Sequence, residues 1–172
     1  MSGLVVYSSK YGSTREYAEW IGGELSFPAV PCADAKRTQL EASDLVILGS
    51  SVNMGSLTIK SWIRKNWPVL AAKRLILFTV SGTPPSDEKK LRETLAASLA
   101  PEMIGRMQWF PLHGRIRFAA LPPLLRFMLK AFSGKQDAAG GAAAGGGPDA
   151  LQEFDDVRRE NIAPIVKAAR AI

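Results

Sequence analysis

Short, almost continuously apolar runs alternate along the chain with longer segments in which apolar residues recur at helical spacing. Five runs have the length and composition of buried strands: GLVVYS, PAVPCA, DLVILGSS, RLILFTVSG and MQWFPLHG. Strands that are apolar on both faces are typical of a parallel sheet covered by helices. The intervening helical patterns cover residues 13–25, 57–72 and 86–99, and a last helix is predicted over 149–172.

This alternation predicts an α/β, doubly wound, five-stranded parallel sheet with strand order 2-1-3-4-5, in one domain spanning residues 1–172. Between strands two and three, residues 34–43 leave room only for a loop or one helical turn. An insertion follows strand five, from about residue 115 to 148, and its tract 138–147 contains only Gly and Ala. Without large side chains this tract cannot join a core, so we predict a flexible linker there.

The positive charge of the chain is concentrated in one segment. The formal net charge is +6, and residues 103–136 carry six Lys or Arg and no Asp or Glu. One cysteine, Cys32, excludes an internal disulfide, and we expect it to be a small core residue. With a single histidine there are too few soft ligands for a zinc cluster, so no metal site is predicted. The N-terminus lacks a secretory pattern, and we expect a cytoplasmic location.

Ser, Thr and Gly are concentrated in the three loops that follow strands one, three and four. In a doubly wound sheet the ligand binds beyond the carboxyl ends of the strands, where the strand order reverses. The first loop, SSKYGST, ends where a helix begins, and the helix N-terminus favours an anion such as phosphate. The ordinary alternative is that Ser13 or Thr14 only caps the helix. The loop matches neither the Walker motif nor G-x-G-x-x-G, which disfavours nucleoside triphosphates and NAD.

The loops SSVNMGS and SGTPPS would lie on either side of a flat ligand at this edge. Their turn residues expose backbone amides, which suits the polar edge of a flavin, whereas the alternative for each is a plain strand-to-helix turn. The candidate cofactor-binding residues come from all three loops: Ser9, Lys10, Tyr11, Gly12, Ser13, Thr14, Ser51, Val52, Asn53, Met54, Gly55, Ser81, Gly82 and Thr83.

The motif SSKYGSTREYA resembles the S-T-x-x-G-x-T-x-x-x-A phosphate loop and helix of the flavodoxin-like family. Within that family the chain is most similar to the short menaquinone-dependent protoporphyrinogen oxidases, because the insertion RIRFAALPPLLRFMLKAFSGK is basic and apolar. The resemblance implies a bound FMN whose ring lies between residues 51–56 and 81–85. It also implies transfer of reducing equivalents from protoporphyrinogen to a quinone. The residues that the resemblance assigns to the phosphate are Ser9, Tyr11, Gly12, Ser13 and Thr14.

Residues 118–135 of the insertion combine apolar side chains with cations. Arg126 and Lys130 are four residues apart and share one helical face, a pattern that suits the anionic surface of a membrane. We therefore predict peripheral docking at the inner face of the cell membrane, where quinone is dissolved. The alternatives are that this helix packs on the protein body or forms a homodimer interface.

Three residues near the end of strand five are candidates for substrate chemistry. Arg115 and Arg117 could pair with substrate carboxylates such as porphyrin propionates, and solvated surface arginines are the alternative. His113 is a candidate for proton transfer to a quinone, and a half-buried structural histidine is the alternative.

Three functions follow from these patterns. The first is an FMN-dependent oxidoreductase of the protoporphyrinogen oxidase or quinone reductase type. The second is a soluble flavodoxin-type electron carrier, which a sequence pI of about 9.7 disfavours because such carriers usually present an acidic face. The third is a flavin-free binding module. Nucleic-acid binding is not expected, because stacking aromatic residues and a recognised motif are missing.

Overall fold

A computed structural model describes residues 1–116, 123–124, 127 and 154–172. The chain divides into a larger unit, Met1–Gly114 with Asp156–Ile172, and a smaller unit, Arg115–Asp155. The larger unit contains all the predicted cofactor-binding residues.

Several predicted features lie outside the described residues. They are Arg117, the Gly/Ala tract 138–147, and the membrane-docking segment 118–135 apart from Pro123, Leu124 and Phe127. Among the helices that the structure describes, none has the length and apolar character needed to span a bilayer.

The sheet of the larger unit has the predicted strand order. Its strands are β1 (Gly3–Ser8), β2 (Ala29–Pro31), β3 (Leu45–Asn53), β4 (Ser56–Leu57), β5 (Arg74–Ser81) and β6 (Met107–His113). Five of them are parallel in the order β2-β1-β3-β5-β6, and β4 pairs antiparallel with β3. Since β4 is a two-residue addition, the five parallel strands follow the expected 2-1-3-4-5 order.

The larger unit contains the helices predicted after strands one, three and four, together with a short helix at Pro101–Ile104 that was not predicted. They are α1 (Ser13–Leu25), α2 (Arg37–Glu41), α3 (Lys60–Leu70), α4 (Glu88–Ser98), α5 (Pro101–Ile104) and α6 (Ala163–Arg170), the last preceded by a 3₁₀ turn at Arg159–Ile162. The bounds of α1 are those predicted, and α2 is the short helical turn expected between β2 and β3. Helices α3 and α4 are each shorter than predicted.

The predicted last helix, 149–172, is wrong over residues 154–158, and its residues 149–153 lie outside the described residues. Residues 154–155 form a strand, and in the described segment 154–172 the helical structure starts at Arg159. The physical reason is visible at Asp156, whose backbone N–H donates to Gly114 and whose carbonyl accepts from the Tyr17 hydroxyl. These long-range bonds use groups that a helix would pair internally. Pro164, tolerated in a first turn, then lies at the beginning of α6.

Alternating side chains of the strands pack against helices on both faces of the sheet. Val5 and Tyr7 belong to one core cluster, which includes residues of α1 and α6. Leu4 and Val6 belong to the other, which includes residues of α3 and α4. This period of two with both faces buried explains the nearly continuous apolar runs. Cys32 is half-buried and packs beside the second cluster.

The smaller unit contains a short antiparallel ladder. Strand β7 (Arg115–Ile116) pairs with β8 (Phe154–Asp155). Within this ladder the Arg115 guanidinium Nε donates to the Asp155 carboxylate at 3.2 Å. Arg115, a predicted substrate ligand, therefore has a carboxylate partner in its own unit.

Candidate functional site

The first predicted loop, residues 9–12, joins β1 to α1 through a left-handed glycine. Gly12 has φ 95° and is the residue immediately before the helix, and no side chain caps the helix there. Its backbone N–H donates to the Ser9 hydroxyl oxygen at 3.1 Å. A Cβ at Gly12 would meet no atom within 4 Å, so the loop faces open space at this point.

Helix capping by Ser13 or Thr14 does not account for this loop. Both residues lie inside the first turn of α1, and both are buried. The Thr14 hydroxyl is 2.7 Å from the Ser51 hydroxyl and therefore faces β3. The first N–H groups of a helix have no intrahelical partner, and here they follow a glycine over which an anion has room to approach.

Ser51 links the first loop to the end of β3. Besides its contact with Thr14, its hydroxyl oxygen accepts the backbone N–H of Lys10 at 3.2 Å. The Lys10 ammonium also donates to the Asn53 side-chain oxygen at 3.1 Å and lies 5.4 Å from the centroid of the Tyr11 ring. The first two predicted loops are therefore brought together, with a cation at their junction.

The second predicted loop is a β-hairpin rather than an irregular turn. Asn53 of β3 pairs with Ser56 of β4, so only Met54 and Gly55 form the connection. Both have positive φ, 49° and 71°, as a type I′ hairpin turn requires. Met54 at the tip is 97% exposed, whereas Val52 is half-buried and packs beside the second core cluster. Met54 and Gly55 thus lie at the tip of the hairpin, and Val52 packs beside the core.

The third predicted loop follows β5 and is held by local hydrogen bonds. The Ser81 hydroxyl oxygen accepts the backbone N–H of Thr83 at 3.2 Å, and its O–H reaches the Thr83 carbonyl at 3.3 Å. Gly82 between them is exposed. The loop ends at Asp87, whose carboxylate accepts the Lys90 N–H and caps α4. This loop follows the strand beside β3, at the same edge of the sheet as the other two.

Comparison with known proteins defines the family. The family model described as flavodoxin domain matches residues 4–138, which is more than half of the chain. The chain belongs to the flavodoxin domain family. No curated protein shows significant sequence similarity to it.

Solved structures that are similar to this chain come from several sources. The Trp repressor binding protein of Bacillus subtilis is 13% identical, with TM-score 0.50, and the match covers 66% of this chain and 85% of that one. A flavodoxin from the domain Archaea is 20% identical, with TM-score 0.46, covering 66% and 83%. Megasphaera elsdenii flavodoxin is 17% identical, with TM-score 0.46, covering 63% and 82%. At these identities the likeness concerns the fold alone.

Sequence reasoning missed a polar network beside the third loop of this flavodoxin domain. The predicted proton-transfer residue, His113, is at the end of β6, and its Nδ1 contacts the Asp156 carboxylate. The buried Tyr17 hydroxyl contacts the carbonyls of His113 at 2.9 Å and Asp156 at 3.1 Å. Asn161 donates to the Tyr17 oxygen and to the Asp156 carbonyl.

A cleft of about 500 Å³ lies next to this network in the flavodoxin domain. Apolar and ionisable side chains share its wall: Pro85, Phe110, Pro111, Leu112, His113, Asp156, Arg158, Glu160, Asn161 and Pro164. Asp156 comes 43 residues after His113 and beyond the insertion, so no local pattern in the sequence could have joined them.

Proposed function

We propose that this flavodoxin domain binds FMN and serves as an oxidoreductase. The observation that carries the proposal is the left-handed Gly12 at the start of α1, with open space above it and hydroxyl residues on either side. A phosphate accepts hydrogen bonds from such backbone N–H groups and is stabilised by the helix dipole. Family membership supports FMN as the source of that phosphate.

In this proposal the phosphate lies against the Ser9 hydroxyl and the backbone of residues 11–13. The isoalloxazine ring lies between the hairpin tip, Met54 and Gly55, and the Ser81–Thr83 loop. FMN supplies the redox chemistry when bound, accepting and donating electrons or hydride. The residues of the protein position the cofactor. Lys10 provides positive charge beside the proposed phosphate site, and the Thr14 hydroxyl acts through Ser51 by holding the first loop against β3.

For the substrate we propose a protoporphyrinogen-type donor and a quinone acceptor. The basic segment 103–136, which overlaps the insertion, supports this choice, because it carries six cations and no anions, whereas porphyrinogen propionates are anionic. Arg115 and Arg117 are the proposed partners of those carboxylates. Since Arg115 is paired with Asp155, a propionate at this guanidinium would have to replace or share that partner. Residues 118–135 would hold the enzyme at an anionic membrane surface.

A soluble electron carrier is the second candidate, and the match to the flavodoxin domain model favours it. Its partner protein would approach the exposed hairpin tip at Met54. The two candidates differ in their dependence on the insertion. An oxidase requires Arg115 and residues 118–135 for substrate and membrane, whereas a carrier uses only the larger unit.

Flavin binding tests the common part of the proposal. Purified protein is titrated with FMN and, separately, with riboflavin, and the quenching of flavin fluorescence is followed. We expect FMN to bind at least tenfold more tightly than riboflavin, because a phosphate bound by several charge-assisted hydrogen bonds contributes more than about 1.4 kcal/mol. Equal affinities for FMN and riboflavin, or no binding of FMN by the folded protein, would contradict a phosphate-binding site at Gly12.

Turnover then separates the two candidate functions. The FMN-loaded protein is assayed with protoporphyrinogen and a menaquinone in vesicles of anionic lipid, as wild type and as Arg115→Ala. Substrate oxidation that reaches saturation, with a raised KM in the variant, supports the oxidase. Reversible reduction of the flavin without substrate turnover supports the carrier.

A further inference from the structure

The short strand β4, which leads from the hairpin tip toward α3, is hydrogen-bonded to helix α4 by a buried serine. The backbone N–H of Leu57 donates to the Ser98 hydroxyl oxygen at 2.9 Å. Leu57 is one of the two residues of β4, and Ser98 is the last residue of α4. The two residues are 41 positions apart, so the bond joins elements that are distant in the sequence.

The proton of the Ser98 hydroxyl is used within its own helix. It is donated to the Thr94 carbonyl, one turn earlier, at 2.8 Å. A hydroxyl has one O–H donor and two acceptor lone pairs. The Ser98 oxygen therefore serves as the acceptor for the Leu57 N–H, and the Ser56 hydroxyl lies 3.5 Å from it.

Both partners of this bond are shielded from water. Ser98 has no exposed surface, and Leu57 is 1% exposed. Leu57 belongs to the second core cluster together with Leu95 and Leu99, which lie on either side of Ser98 in the sequence. If the hydroxyl were removed, the N–H of Leu57 would remain buried without an acceptor, which is costly.

Helix α3 holds the same end of α4. The Arg64 guanidinium donates to the Ser98 carbonyl at 2.7 Å, where the last carbonyls of a helix have no intrahelical partner. The Lys60 ammonium donates to the Ser56 hydroxyl at 2.7 Å. Both residues of β4 are therefore bonded to helices, Ser56 to α3 and Leu57 to α4.

The hairpin needs these bonds because its own ladder is short. The two residues of β4 pair with Val52 and Asn53, and the tip residue Met54 is 97% exposed. A two-stranded hairpin without other contacts is marginally stable at best. The ladder fixes the register of β4 on β3, and the bond to Ser98 fixes β4 on the body of the larger unit.

We propose that Ser98 is a positioning residue for the hairpin turn at Met54 and Gly55. Its hydroxyl holds β4 on α4 and thereby sets the position of the turn. The consequence for flavin rests on the proposed function, in which this turn is one side of the ring site and the phosphate lies at Gly12. Ser98 then acts on the binding of the ring and not on the binding of the phosphate.

Two serine variants test the role of the hydroxyl. Ser98→Ala removes the acceptor of the Leu57 N–H. Ser43→Ala is the matched control, because Ser43 is also buried and its hydroxyl also donates to the carbonyl four residues earlier, Gln39, at 2.7 Å. In the part of the chain that the structure describes, the Ser43 hydroxyl accepts no hydrogen bond from another element.

The first measurement uses no flavin, so its failure is distinguishable from failure of the proposed function. Hydrogen exchange of the Leu57 amide is followed by NMR, with the amide of Ile47 in the core as the reference for global unfolding. We expect slow exchange in the wild type and in Ser43→Ala, and exchange at least about tenfold faster relative to Ile47 in Ser98→Ala. The amides of Met54 and Gly55 should shift in Ser98→Ala only.

An unprotected Leu57 amide in the wild type would overturn the proposal even if Ser98→Ala did not fold. Equal relative exchange in the wild type and Ser98→Ala would overturn it as well.

The second measurement compares the binding of FMN, riboflavin and inorganic phosphate. Ser98→Ala should weaken FMN and riboflavin binding by the same factor, about threefold to tenfold, because both ligands carry the ring. Phosphate binding, followed by the amides of residues 9–14, should be unchanged, and Ser43→Ala should change none of the three. Unchanged flavin affinity in Ser98→Ala, or an equal loss of phosphate affinity, would overturn the role of Ser98 at the ring. A wild type that binds no flavin but shows the Leu57 response would contradict the proposed function while supporting the positioning of the hairpin.

Discussion

The hydroxyl groups of Thr14 and Ser51 lie 2.7 Å apart in the buried interior beneath the first loop. Thr14 belongs to the first turn of α1, and Ser51 belongs to β3. This contact therefore joins the helix that follows β1 to β3, the strand beside β1. The Ser51 oxygen also accepts the N–H of Lys10. A single serine thereby fixes both ends of the loop that is proposed to hold a phosphate.

Thr14→Val should destabilise the fold, because it leaves the Ser51 hydroxyl without one of its buried partners. The expected loss in the free energy of unfolding is about 1–3 kcal/mol, measured by urea denaturation. Thr14→Ser keeps the hydroxyl and should lose less. In a double-mutant cycle with Ser51→Ala, the two changes should be non-additive by about 0.5–3 kcal/mol. Additive effects would show that the contact contributes no coupling.

Gly12→Ala should also reduce stability, although a methyl group has space there. Gly12 has φ 95°, and a left-handed conformation costs an L-residue about 1–2 kcal/mol. Gly23 provides a matched control, since it lies in α1, has open space around its Cβ position and has no positive φ. Gly23→Ala should stabilise the protein by about 0.5–1 kcal/mol. The same sign of effect at both positions, by thermal or urea unfolding, would contradict the conformational explanation.

The thiol of Cys32 should react slowly with alkylating reagents. Its half-burial raises the pKa of the thiol, and only the thiolate is an effective nucleophile. Iodoacetamide at pH 8 should modify the native protein several-fold more slowly than the same protein in urea, as followed by mass spectrometry. Equal rates in the two states would show that the packing beside the second core cluster does not protect the thiol.

Asp44 should make stability depend on acid pH. Hydrogen bonds from the Ser2 backbone N–H and hydroxyl lower the pKa of this carboxyl in the folded state. The folded state therefore binds the proton less readily than the unfolded state, and the stabilisation is present above the unfolded pKa of about 3.9. It is lost as the pH falls through the folded value.

The measurement compares the wild type with Asp44→Asn by thermal unfolding from pH 7 down to acid pH. We expect the wild type to be more stable at neutral pH and the difference to shrink as the carboxyl is protonated. A difference that stays constant across the range would mean that the charge of Asp44 does not carry the effect.

Local patterns predicted most of the fold. The bounds of α1 follow from helical spacing of buried residues such as Tyr17 and Ile21, and the parallel strands follow from runs that are buried on both faces. The hairpin at Met54 and Gly55 was not predicted, because Met is an unusual residue at positive φ. Its conformation is set by the twist of β3 and β4 rather than by the residue itself.

Long-range contacts account for what the sequence could not predict. The start of the last helix depends on bonds from Asp156 to Gly114 and Tyr17, which local propensity does not encode. The pairing of His113 with Asp156 likewise joins residues from opposite sides of the insertion. In the site, the predicted strand order places the three loops at one edge of the sheet. The inward direction of the Thr14 hydroxyl could not be predicted, because it depends on the contact with Ser51 in a distant part of the sequence.

The central claim, that FMN binds at the carboxyl edge of the sheet with its phosphate at Gly12, is tested most directly by mapping the ligand on the protein. FMN is titrated into ¹⁵N-labelled protein, and backbone amide shifts are recorded. The account predicts the largest changes at residues 9–14, at Met54 and Gly55, and at Ser81–Thr83, with Asp44 and Lys73 at the opposite edge unchanged. Changes confined to other surfaces, or none at saturating FMN, would contradict it.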